Sequence, residues 1–175
     1  TIDLATRLKA QRGRDNQVRQ LVGTTQDITE RKQAGEAIQR ERRLLRTLID
    51  NLPDGVFVKD TAGRKLIANR VDMDLIGAAS EADVLGKTDL ELFPNEAGAR
   101  GYADDLVVLQ TGQPLLNHEE DFIDGHGVQR WLLTSKVPLR DEAGRITGVL
   151  GIGHDITERK QAEEAIQRER RLLRT

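Results

Sequence analysis

The run "ITGVLGIGHDITERKQAEEAIQRERRLLRT", Ile146 to Thr175, changes character at Asp155, from a glycine-punctuated apolar stretch to a charged segment with helical spacing. Its last part, from Asp155 on, repeats the segment "DITERKQAGEAIQRERRLLRT" that begins at Asp27, with the single change of Gly35 to Glu163. The likeness reaches back into the apolar part. "VRQLVGTTQDIT" (Val18 to Thr29) aligns without gaps to "ITGVLGIGHDIT" (Ile146 to Thr157), with glycine shared at Gly23 and Gly151. A repeat of this kind changes what counts as a domain and is read before anything else.

Working outward from Ile146, turn residues and alternation give a succession of strands. "GVFVKD" (Gly55 to Asp60) and "RKLIAN" (Arg64 to Asn69) flank "TAG", a hairpin turn in which Gly63 supplies a positive φ. Helix signals come next, broken at Gly77, Gly86, Pro94 and Gly112. Three further strands are expected at Pro114 to Asp124, Val128 to Leu139 and Ile146 to Asp155, separated by "GHG" and "RDEAGR". In the last strand Ile146, Leu150 and Ile152 share one face and Val149 takes the other, which predicts a sheet at least partly covered on both sides.

The repeated segment reads as a helix from about Thr29, with Asp27 or Thr29 as N-cap acceptor and Glu30 in the first turn, where the helix dipole favours an acid. Ile38, Leu45 and Leu52 lie seven apart, with Ala34, Glu41 and Leu48 as the companion row, an a/d pattern with a defect at Glu41. The expected dimer seam is Ile38, Leu45, Leu48 and Leu52. The alternative is that the same row caps the sheet, and one helix can do both.

Composition narrows the field. Charged residues make up 32% of the chain and the formal net charge is -2, so nucleic acid is not an expected partner. No stretch approaches the roughly 18 apolar residues of a membrane span, and no signal-peptide pattern is present. The chain has no cysteine, which excludes a disulfide framework and a thiolate zinc site and fits a cytoplasmic setting. Starting at Thr1 and ending inside a helical pattern, it is read as a fragment of a longer protein.

The stretches "LIDNLPDGVFVKDTAGRKLIAN", "ADVLGKTDLELFP" and "GHGVQRWLLTSKVPLRDEAGRITGVLGIGHDITERKQAEEA" together resemble the PAS sensory family, in particular the tandem PAS domains of bacterial sensor histidine kinases. The "DIT" triplet followed by "ERKQAEEA" is similar to the family's junction between domain and output helix. The resemblance implies an α+β fold, a five-stranded antiparallel sheet with short helices on one face, flanked by amphipathic linker helices. It divides the chain into 1–26, the C-terminal hairpin of a preceding PAS domain; 27–50, a linker helix; 51–156, a PAS domain; and 157–175, the start of an output helix. In the first of these, Ile2 to Lys9 and Val18 to Gln26 are the strands and "QRGRDN" the turn. The implied signal junctions are Asp27 and Thr29, and Asp155 and Thr157, with Asp155 held by a basic side chain or by helix-start N–H groups.

The resemblance further implies a cavity between sheet and helices. Val56, Val58, Ile67, Phe93, Tyr102, Leu106, Phe122, Trp131, Leu133 and Ile152 are offered as its lining, with Asn69, His118, Thr134 and Ser135 as polar contacts. No cofactor is expected: a flavin-cysteinyl adduct needs a cysteine, and the segment that supplies an axial histidine in haem-binding members, "NEAGARGYADDLVVLQTG", has none. Other motifs carry less. "GKT" at Gly86 to Thr88 lacks the glycine a phosphate loop needs five residues earlier, where Glu81 stands. "HEED" at His118 lies in an extended run rather than the long helix of a kinase phosphoacceptor. The pairs Asp104/Asp105 and Glu119/Glu120 read as a solvated face. No nucleophile, base or metal cluster has catalytic spacing, so the fragment is not expected to be an enzyme, whereas its parent is expected to be a sensor histidine kinase. Two functions remain: a homodimeric relay module passing conformational signals between neighbouring PAS and output domains, and a sensor whose pocket binds a small molecule.

Overall fold

The computed structural model describes residues 2–12, 16–93 and 96–173, with Arg19 described by its backbone only. The chain forms two compact units, Thr1–Thr47 and Leu48–Thr175.

In the first unit β1 (Leu4–Arg12) pairs antiparallel with β2 (Val18–Asp27), in a register running from Leu4 opposite Asp27 to Arg12 opposite Val18. Of the expected turn, residues 13–15 lie outside the described residues, and Asn16 takes the left-handed conformation (φ 61°). Leu4, Leu8 and Leu21 are exposed on this hairpin. The helix α1 (Thr29–Asp50) begins at the expected Thr29 and has no buried residue. It ends before Leu52 because that residue precedes Pro53, which disfavours helical geometry at the position before it. The last N–H groups close the turn by short bonds, Asn51 to Leu48 O and Leu52 to Ile49 O.

The second unit holds a five-stranded antiparallel sheet in the order β4-β3-β7-β6-β5. Its strands are β3 (Gly55–Asp60), β4 (Lys65–Ala68), β5 (Leu115–Ile123), β6 (Gln129–Arg140) and β7 (Ile146–Asp155). Between β4 and β5 run α2 (Arg70–Ile76), a 3-10 turn (Glu81–Asp83), α3 (Asp89–Leu92) and α4 (Glu96–Thr111), and α5 (Thr157–Leu172) comes after β7. The β3–β4 turn is tied by Asp60, whose Oδ1 accepts from the N–H groups of Ala62 and Arg64, with Gly63 at φ 74°. α2 stops at Gly77, which adopts the left-handed C-cap that a residue with a Cβ resists. The break expected at Pro94 lies outside the described residues.

Alternation decides what the sheet buries. Phe57, Lys59, Thr134, Lys136, Val149 and Gly151 turn inward, and Ala68, Val84 and Val108 complete a small apolar core. The largest fully buried side chains are Lys59, Lys65 and Lys136. The interior is therefore built around charge. In β7 the inner positions are Val149, Gly151 and Gly153, while Ile152 on the other face is exposed. Glycine is required at Gly151 because the Phe57 ring occupies the space of a side chain there, 2.1 Å from where a Cβ would stand.

Candidate functional site

A lysine ammonium moved out of water costs several kcal/mol, so three of them can be buried only if each finds an anion. The helices supply those anions. Lys59 Nζ donates to Asp89 Oδ2 and to Asp105 Oδ2, both at 2.5 Å. Lys65 Nζ donates to Asp72 Oδ2 at 2.5 Å. Lys136 Nζ donates to the Gly101 carbonyl at 2.7 Å and lies 2.8 Å from Asp105 Oδ1, off the hydrogen-bond direction. Two ammonium groups lie over the Phe57 ring, Lys59 at 4.6 Å and Lys65 at 4.4 Å from its centroid, which adds cation–π attraction.

The environment sets the ionisation of these groups. Burial pushes Lys59 down, but Asp89 and Asp105 outweigh it and hold the ammonium above its usual range. Burial likewise pushes Asp89 up, and Lys59 with the other lysines brings it below the ordinary carboxylate value. At Asp72 burial wins over Lys65, and its carboxyl is raised.

Beside this network lies a cavity of about 70 Å³. Its apolar walls include Phe57, Leu75, Phe93, Phe122 and Leu132, and its polar ones Lys65, Asp72, Asp89, Glu120, Thr134 and Lys136. Phe93 and Phe122 meet edge to face, centroids 5.8 Å apart at 88°. Thr134 Oγ1 donates to Glu120 Oε1 at 2.5 Å.

Of the residues expected to line the cavity, Phe93, Phe122 and Thr134 do so. Val56, Val58, Trp131, Leu133, Ser135 and Ile152 alternate with cavity-lining or buried neighbours and face the other side of the sheet. Ile67 goes with them, since it pairs directly with Val58, and the register shift that follows returns Lys65 to the inner face beside Lys59. Asn69 is fully buried and spent: Oδ1 accepts from the N–H groups of Val56 and Asp72, and Nδ2 donates to the carbonyls of Ile49 and Asp54. Those four bonds fill an amide's capacity, so Asn69 clips the strand ends and caps α2 rather than contacting a ligand. Tyr102 packs on the Gly63 turn, Leu106 is half-buried on α4 outside the cavity walls, and His118 is exposed on β5 opposite Thr134. The solvated-face reading of Asp105 and Glu120 is corrected too: Asp105 is fully buried and Glu120 is half-buried at the cavity.

The sequence reading missed Phe57, the three lysines and the three aspartates. One signal was available: Gly98, Gly101, Asp105 and Val108 fall at helical spacing and form the inward stripe of α4.

The end of β7 is tied to α5 by a clasp of its own. Asp155 Oδ1 accepts from the Thr157 N–H at 2.8 Å, and Asp155 Oδ2 from Arg130 at 3.2 Å. Thr157 Oγ1 accepts from the Trp131 N–H at 2.9 Å, and the Ile156 N–H donates to the Trp131 carbonyl at 2.8 Å. Lys160 stands 5.0 Å from the Trp131 ring centroid, and Arg159 and Lys160 both pair with Glu119. The first unit repeats the pattern within itself. Thr29 donates through N–H and Oγ1 to Asp27, Thr29 Oγ1 accepts from the Asp3 N–H, and the Ile28 N–H donates to the Asp3 carbonyl. Asp3 stands where Trp131 stands. The strand registers correspond as well, Leu4 opposite Asp27 and Leu132 opposite Asp155, and both hairpins shift register at the same place, before Arg12 and before Arg140. The expected seam residues Ile38, Leu45 and Leu48 are exposed on α1, and Leu52 is exposed beyond its end.

Among the described residues no group of three or more His, Asp or Glu side chains is arranged to hold a metal, and no helix is long and apolar enough to cross a membrane.

Against protein-family models, residues 49–161 match the PAS fold. The methanogenesis regulatory histidine kinase FilI of Methanothrix harundinacea is 32% identical over 141 residues, covering 79% of this chain and 15% of that protein. The virulence sensor protein BvgS of Bordetella bronchiseptica is 31% identical over 143 residues, 81% of this chain and 12% of that protein. The chain thus spans a small part of these relatives. The solved PAS domain of Bordetella pertussis BvgS is 27% identical with a TM-score of 0.56, over 76% of this chain and 98% of that one.

Proposed function

The chain belongs to the PAS family, and from that premise we propose that it is a sensory relay module, homodimeric through its linker helices, that passes changes in the sheet to an output helix. The observation that carries this reading is the clasp of Asp155, Thr157, Trp131 and Arg130. Three hydrogen bonds couple the start of α5 to two adjacent strands and a fourth, from Arg130 to Asp155, joins those strands, so a shift of β6 against β7 moves the helix start. The parent is proposed to be a cytoplasmic-facing sensor histidine kinase, in keeping with the relatives' names. The hairpin of residues 1–26 is proposed to be the end of a preceding PAS domain. Its support is the matching register and the same bonds among Asp27, Thr29, Ile28 and Asp3, without a counterpart of Arg130, where Ile2 stands.

The test is made in the parent protein. Asp155→Ala removes one cap, which costs only about 1 kcal/mol, and should leave the fold while uncoupling output. Insertions of one to eight residues after Thr157 should change output periodically, because each residue turns the downstream helix by about 100° and seven nearly restore the original face. A smooth decline with length would mean a flexible tether and end the relay reading.

A second reading, a sensor whose cavity binds a small molecule, is favoured by the partly polar cavity beside the charge network.

A further inference from the structure

The interior charges do not balance at the cavity. Lys59, Lys65 and Lys136 are each paired with an aspartate. Glu120 is different: among the described residues its partner is the neutral Thr134 hydroxyl, and no cation pairs with it. Three lysines therefore face four carboxylates, Asp72, Asp89, Asp105 and Glu120, and the uncompensated one stands on the cavity wall. Beside it on the same strand is Phe122, in edge-to-face contact with Phe93. Phe57 has no such role open to it, since Lys59 and Lys65 already lie over its ring.

We propose that the cavity takes a small organic monocation, its charged nitrogen paired with Glu120 and its apolar body against Phe93 and Phe122. An anion would meet the unpaired carboxylate, and a neutral molecule would leave it uncompensated. A primary or secondary ammonium satisfies Glu120 by a charge-assisted hydrogen bond and gains from the aromatic faces. The cavity volume of about 70 Å³, half of the roughly 150 Å³ that takes up a benzene ring, limits the enclosed part of the ligand to a short alkyl chain. The proposal rests on the reading of the cavity as a ligand site.

The experiment titrates the purified chain with ethylamine and isobutylamine, and with isobutanol and isobutyrate as neutral and anionic counterparts, tracking backbone amide shifts by NMR. The expected result is saturable shifts from the amines at β5 and α4, with affinity lowered about ten- to hundredfold in Glu120→Gln, the worth of a hydrogen bond to a charged group. Phe122→Leu, which keeps an apolar residue at the wall, should weaken the amines by about two- to fivefold. Amine binding untouched by both variants, or isobutyrate binding more tightly than isobutylamine, overturns the cationic class and leaves the cavity as a site for another ligand. Silence from all four probes overturns the ligand reading of the cavity itself, and the relay reading then stands or falls on the insertion series.

Discussion

Lys59→Met tests whether the interior depends on paired charge. The ammonium is replaced by an apolar chain of similar length, leaving Asp89 without its cation and Asp105 with only the off-axis contact of Lys136. Both carboxylates are buried, so water offers little compensation. Removing one member of such a pair costs about 3–5 kcal/mol, against a total stability of about 5–15 kcal/mol for a domain. With a urea slope of about 2 kcal/mol per molar, the unfolding midpoint should fall by about 1.5–2.5 M, read by circular dichroism at pH 7. The loss should shrink as the pH approaches the ordinary carboxylate value of about 4, where the stranded carboxyls take up protons. Lys59→Met with Asp89→Leu removes the stranded acid while leaving Asp105 to Lys136, and should recover a large part of the loss. A single variant within about 0.5 M of wild type, or a double variant no better than the single, would refute the reasoning: the acids would then not be held as ions by Lys59.

Asp89 gives the pH dependence its sign. Its folded value is depressed, so its contribution is present above the ordinary value of about 3.9 and lost as the pH falls through the folded one; Asp89→Asn should flatten the acid limb of a stability–pH curve. Leu45→Glu, alone or with Leu48→Glu, should weaken self-association by leaving a charge desolvated in the seam, and an unchanged sedimentation coefficient across a dilution series would speak against the linker dimer. Gly35→Glu should raise helix content and stiffen α1 by up to about 1 kcal/mol, since the site has open space around it and glycine is the poorer helix former; circular dichroism of the two forms decides.

The succession of strands along the chain and the turns between them were legible because turn chemistry is local: Asp60 and Gly63 fold the β3–β4 turn from within it. At the junction the resemblance pointed to Asp155 and Thr157, whereas Arg130 and Trp131, 25 and 26 residues from the groups they bind, come to it only through the sheet. The cavity was not legible. A reader of alternation assigns apolar positions inward, and here Val56, Val58, Leu133 and Ile152 take the other face while lysines turn in. A lysine reads as exposed unless its anion is known, and the anions arrive from other elements: Asp89 and Asp105 stand 30 and 46 residues from Lys59. Only the packing of α3 and α4 on the sheet brings them together. Leu52 lies past the end of α1, before Pro53, so the helix does not carry the seven-residue spacing as far as that position.

Trp131 is the sole tryptophan of the chain, and it stands at the clasp, its backbone bound to Ile156 and Thr157 and its ring 5.0 Å from the Lys160 ammonium. The excited indole is strongly dipolar, so a charge at that distance shifts its emission. Movement of α5 against β6 alters that field before it alters anything farther along the helix. The unlabelled protein thus carries its own optical gauge of the contact between β6 and α5, one emission band from one residue, readable in the intact chain without a fluorophore attached.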